Sequence, residues 1–212
     1  MNSNRRPIQL IINKLIFLGI LFFILLFVFS STLYPGGSQA NIDTKGFDWL
    51  NNYWCNLTSE KAMNGAVNPA RVYSISAMII LCLSLMLFFL QFAETFSKNS
   101  FLKNTIKVSG ILSMSFAIFI FTPYHDLMTI VSSFFGLFVV LGISIEIYKH
   151  SSLMKFQISG FLCLLLLGLN NYIYYSQQAI AYLPFLQKIT LLIVILWIIG
   201  LNYEVRTRIN QE

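Results

Sequence analysis

Long apolar runs, separated by short polar and turn-forming segments, dominate the pattern along this chain. Six runs stand out, at about 15–34, 72–92, 107–121, 127–145, 156–175 and 186–203. A bilayer core about 30 Å thick is crossed by roughly 20 apolar residues in a helix. Five of the runs reach about that length; the third is shortest, with Phe101 and Leu102 available to extend it. The boundaries are chemical. Arg5, Arg6 and Lys14 precede the first run and Pro35-Gly36-Gly37 ends it; Thr122-Pro123 separates the third from the fourth. Barrel strands would be short and alternating, whereas these runs are continuous, which predicts helices. The expected fold is therefore all-α: one integral membrane domain, 1–212, built as a polytopic transmembrane bundle of six helices, with a long, ordered outward loop at 35–71 between helices 1 and 2.

Composition agrees. The chain is 57% hydrophobic and 10% charged, against roughly 25% charged in average soluble domains. The net charge of +6 is spread between apolar runs. No basic patch interleaved with aromatics appears, which argues against nucleic acid. The charges report topology instead. With six spans, one side holds ten basic residues (Arg5, Arg6, Lys14, Lys98, Lys103, Lys107, Lys149, Lys155, Arg206, Arg208) and the other four (Lys45, Lys61, Arg71, Lys188). The positive-inside rule then puts both termini in the cytoplasm of a plasma (inner) membrane protein. Arg5-Arg6, the first run and Ser38-Gln39-Ala40 also resemble a cleaved signal peptide, but the run exceeds a signal's apolar length, which favours a retained helix. Cys55, Cys82 and Cys163 show no metal or redox spacing.

Small residues carry close contacts between membrane helices. Ser109, Ser113 and Ala117 form a stripe on the third span, and Ser132 and Gly136 repeat its spacing on the fourth. This predicts close backbone approach between the two.

The loop is long enough to suggest a function. Phe47, Leu50, Trp54 and Leu57 are spaced for one face of a short interfacial helix, accompanied by Trp49 and Tyr53. The polar residues Asp48, Asn51, Asn52 and Asn56 ride with them, so a covering role is expected, with Asp48, Asn51, Asn52, Trp54, Glu60 and Arg71 as candidate ligand contacts. Asn56-Leu57-Thr58 matches a glycosylation sequon.

Two further clusters fall on the same side. In Thr122-Pro123-Tyr124-His125-Asp126, Thr122 suits an N-cap, Pro123 the first helical position and Asp126 the helix dipole. His125 and Asp126 are also the candidate catalytic residues. Neighbouring helical side chains point apart, so the pair is not expected to form a site alone. Asn170 and Asn171, followed by Tyr172, Tyr174 and Tyr175, are candidate ligand contacts or an interfacial belt. No Asp, Glu, Lys, Arg or His lies mid-span, which argues against ion-coupled pumping. No cofactor or metal motif is evident.

Residues Asn51 to Leu57, then Asn68-Pro69-Ala70 and a long apolar helix, resemble the start of small prokaryotic membrane proteins grouped as the domain-of-unknown-function family numbered 998. Phe121-Thr122-Pro123, His125 and Ser133-Phe134-Phe135 are similar to that family's later proline, histidine and aromatic pattern. Cys55-Asn56-Leu57-Thr58 stands where the family has a Ser-Asp/Glu-Leu-Gly run, so an acidic group is missing. The resemblance implies a six-helix bundle without an assigned activity. Three functions remain open. The first is capture of a membrane lipid or a protein partner through loop 35–71. The second is a membrane-embedded hydrolase or transferase around His125, with Asp48, Glu60 or Asp126 orienting it. The third is a small-solute transporter using Asn170, Gln91 and the span serines.

Overall fold

A computed structural model describes residues 5–211. Six helices run α1 Arg5–Thr32, α2 Ala70–Phe96, α3 Ser100–Ala117, α4 His125–Lys149, α5 Gln157–Ser176 and α6 Leu183–Gln211. Three 3-10 helices, Trp54–Thr58, Ser151–Phe156 and Ile180–Tyr182, fill connections. No strand forms among the described residues; the loop holds only the isolated bridges Gly36–Lys45 and Lys61–Val67. Each helix packs on its neighbours in sequence and α6 returns to α1, so the chain closes a ring with α2 also touching α6. Both ends of the described chain lie together, since Arg6 donates to the Asn210 carbonyl at 2.7 Å. We call that end the terminal face and the opposite one the loop face.

Five helical segments are long and apolar enough to cross a membrane: 6–32, 70–96, 125–149, 151–176 and 180–211. The exception is α3. The sequence places the third run at 107–121, but Asn99 caps the helix earlier, its side chain accepting from the Leu102 amide at 3.1 Å. The helix therefore takes in Lys103 and Lys107, which face Glu94, and it ends at Ala117. What the reading assigned to its last turn is a chain of tight turns at 118–124.

The core is apolar, centred on Ile16, Ile20, Phe88, Phe92, Ile198 and Leu201, all almost fully buried. The outer surface is apolar as well: Leu18, Leu25, Phe134, Ile158 and Phe161 are exposed. Water would penalise so large an apolar face, and hydrocarbon would not. Two of the interhelical polar contacts are reciprocal. The Asn13 amide donates to the Asn202 carbonyl and side-chain oxygens at 2.8 and 2.7 Å, and Asn202 donates back to the Asn13 carbonyl at 3.2 Å. The expected small-residue contact between α3 and α4 is present. Ser113 and Ser132 each donate to the other's carbonyl at 2.9 Å, and a side chain at Gly136 would begin 3.3 Å from the Ser113 hydroxyl. Such contacts contribute about 0.6 to 2 kcal/mol each between membrane helices.

Candidate functional site

The loop face carries two polar constellations, and the larger is the 33–69 loop itself. Its entry turn requires glycine. Gly36 and Gly37 have φ of 143° and 83°, and a Cβ on Gly37 would lie 2.5 Å from the Asn64 amide nitrogen. The expected helix over Phe47–Leu57 does not form; only Trp54–Thr58 is helical, as a 3-10 turn. The cause is competition from short polar side chains for backbone donors. Asp48 accepts from the Leu50 and Asn51 amides at 3.0 and 3.2 Å, Asn52 from the Asp48 amide at 2.8 Å, and Asn56 from the Tyr53 amide at 2.6 Å. The Asn56 bond takes the Tyr53 amide that a continuous helix would pair with the Trp49 carbonyl.

The same residue types tie the loop to the bundle. The Asn68 side-chain amide faces the carbonyls of Asn56, Leu57 and Ser59 at 3.2, 3.1 and 2.9 Å. Ser74, in the second turn of α2, donates to the Leu57 carbonyl at 2.8 Å. Tyr34 accepts from the Met63 amide at 3.0 Å. Asn52 is fully buried and Asn56 nearly so. Their side chains are therefore structural, and the sequon asparagine is closed to modification in the folded chain.

Aromatic rings fill the underside. Phe27 meets Trp54 at 4.4 Å, Trp54 meets Trp49 at 6.0 Å, Trp49 meets Phe47 at 5.3 Å and Phe47 meets Tyr34 at 5.6 Å between centroids. Lys188 rises from the start of α6 into this cluster. Its ammonium lies 5.7 Å from the Phe47 and Trp54 centroids and donates to the Asn52 carbonyl at 2.5 Å. In the sequence, Lys188 stands out only as a topology charge. A lone cation opening an apolar run, opposite an aromatic loop, is the signal that marks it. Burial acts to raise the Asp48 carboxyl, but hydrogen bonds from the Asn51 side chain and the Leu50 and Asn51 amides outweigh it and hold it below the usual carboxylate range. Burial pushes the Cys55 thiol up. Ile42 and Leu50 stay exposed, and Trp49 keeps one side exposed while its other side meets Phe47 and Trp54.

The second constellation joins the start of α4 to the end of α5. Thr122 is not the N-cap: its hydroxyl donates to the Phe119 carbonyl at 2.7 Å, and Tyr124 holds the cap position without a side-chain bond. Asp126 does sit in the first turn. Contrary to expectation, the adjacent pair meets, His125 Nδ1 lying 3.1 Å from Asp126 Oδ1. At a helix start both side chains can fold back over the open turn. Tyr174 donates to the same oxygen at 2.7 Å. The group lies open, with the Asp126 side chain 72% exposed and that of His125 38%.

The remaining candidates are dispersed. Glu60 pairs with Arg71 at 3.0 Å. Asn170 donates to the Thr190 hydroxyl at 2.6 Å, and Asn171 only to the Leu167 carbonyl of its own helix at 2.9 Å. Gln91 lies at the terminal end, donating to the Gln9 carbonyl at 2.6 Å, far along the bundle from Asn170. Among the described residues, no three His, Cys, Asp or Glu side chains are grouped to hold a metal ion. A groove of about 530 Å³ lies elsewhere, between α1 and α2, and is lined mostly by leucines such as Leu18, Leu25 and Leu83. The chain matches no protein-family model, no curated protein and no solved structure.

Proposed function

We propose that the protein is a multi-pass membrane bundle of six helices, both termini cytoplasmic, whose outward loop captures a lipid or a protein partner without catalysing a reaction. One observation carries this reading. The loop is tied down by side-chain-to-backbone hydrogen bonds beneath, yet it presents Trp49 and Leu50 exposed on top. Burying those side chains would stabilise the fold, so holding them outward suits a binding surface. The ten-to-four split of basic residues supports the orientation.

The test must spare the frame. Deleting 47–57 would remove the buried Asn52, Asn56 and Leu57 along with the surface. Leu50→Ser removes exposed apolar area, and Trp49→Phe trims the exposed indole while keeping a ring against Phe47 and Trp54. Cross-linking and affinity capture from native membranes should then lose a wild-type partner band or co-purifying lipid. An unchanged capture profile would sink the proposal.

The His125–Asp126 contact favours a second reading, a hydrolase or transferase. With Nδ1–H directed at the carboxylate, Nε2 is left as a general base. His125→Ala should then abolish lipid hydrolysis by purified protein, and a wild type inert on lipid substrates removes this alternative.

A further inference from the structure

Lys188 is half-buried beneath the loop, and its contacts are incomplete. An ammonium has three N–H donors and a full positive charge. Two donors reach backbone carbonyls, Asn52 at 2.5 Å and Pro184 at 2.9 Å. The third has no acceptor among the described residues, and no carboxylate comes within ion-pair distance. Other partly buried basic side chains among the described residues differ: Arg71 sits on Glu60, and Lys103 and Lys107 sit on Glu94. Carbonyl dipoles and ring faces compensate a buried charge only in part.

A second group in the same aromatic cluster is also incomplete. The Trp54 indole Nε1 is buried and has no hydrogen-bond partner. An indole nitrogen can only donate, and a buried donor left unpaired is costly. The nearest loop acid does not resolve either deficit. Asp48 is engaged with the Asn51 side chain at 2.8 Å and with two amides. The cluster therefore holds two unused donors, one fully charged, and no acceptor for them.

We propose that Lys188 and the Trp54 indole N–H form a binding site for an oxyanion, a phosphate or carboxylate group that enters under the edge of the loop. The charge selects an anion, the two donors divide its oxygens, and the flanking rings exclude water and strengthen both bonds. The inference rests on the loop being a recognition element and adds the chemistry that it recognises.

The experiment uses the full chain in phosphatidylcholine nanodiscs. One arm measures binding of radiolabelled inorganic phosphate and of acetate by equilibrium dialysis. The other measures retention of phosphatidylglycerol over phosphatidylcholine by native mass spectrometry. Saturable binding of the free anion points to a soluble ligand. Selective retention of phosphatidylglycerol without it points to a lipid headgroup. Either result supports the site if Lys188→Gln weakens it about tenfold or more, as loss of a charged hydrogen bond should, and Trp54→Phe weakens it less. Trp54→Phe keeps the ring and decides the matter if Lys188→Gln fails to fold. No binding in either arm, or binding unchanged by both substitutions, overturns the proposal and leaves Lys188 as a pin for the loop. Failure here with partner capture at Trp49 and Leu50 intact removes the oxyanion alone; the reverse result removes the platform alone.

Discussion

The two ends of the bundle treat polar side chains differently. At the terminal face, acids meet bases side chain to side chain. Glu94 takes Lys103 and Lys107, Lys155 meets Glu204 at 2.6 Å, and the buried Glu146 has Lys149 at 3.6 Å and His150 at 3.7 Å. At the loop face, side chains bond mainly to backbone: Asp48, Asn52, Asn56, Asn68 and Ser74 all hold main-chain groups. The difference teaches what each end is for. Ion pairs between helices fix how helices sit and are sensitive to salt. Side-chain-to-backbone bonds fix the shape of an irregular segment and leave its surface open for other uses.

The contrast can be broken, and the sharpest blow falls on the loop. Gly37→Ala combines a positive φ with a backbone collision, and it should destabilise the loop by about 1–3 kcal/mol or more. Limited proteolysis at 38–66 should rise while helical content holds. Equal loosening at both ends would show that they are not separate. Asn202→Leu comes next: the buried Asn13 amide loses its side-chain acceptor and keeps only the residue-202 carbonyl, at a cost of about 0.5–1.5 kcal/mol. Unfolding in mixed detergent should register it, and loop proteolysis should not change. Glu94→Gln should cost at most about 1 kcal/mol, because its pairs are partly exposed, and the loss should shrink as salt is raised. Salt that loosened the loop more than the terminal face would reverse the comparison. The smallest effect is titration of Asp48. Its folded carboxyl lies below its unfolded value, so its contribution is complete above the unfolded value and fades as pH falls through the folded one. Loop protection by hydrogen exchange should weaken in acid, and Asp48→Asn should flatten that dependence.

Much of the frame was legible in the chain. Run length gave the helices because apolar continuity is a property of whole segments and survives local detail. The serine stripe gave the α3–α4 contact because helical spacing alone sets it. Where reading failed, the deciding term was local and polar. Asn99 started α3 early. Asp48, Asn52 and Asn56 outcompeted a helix that apolar spacing favoured. The His125–Asp126 contact depends on how an open first turn lets two neighbours fold back, which spacing does not encode. Lys188 escaped notice because its partners are distant in sequence: Asn52 is reached from 136 residues away.

The paired asparagines that join α1 to α6 also set an order of assembly. Asn13 belongs to α1, and its partner Asn202 to α6. Throughout synthesis of the helices between them, the Asn13 amide has no mate within the chain. Synthesis that stalls before α6 therefore yields a product marked by one bare polar group in α1.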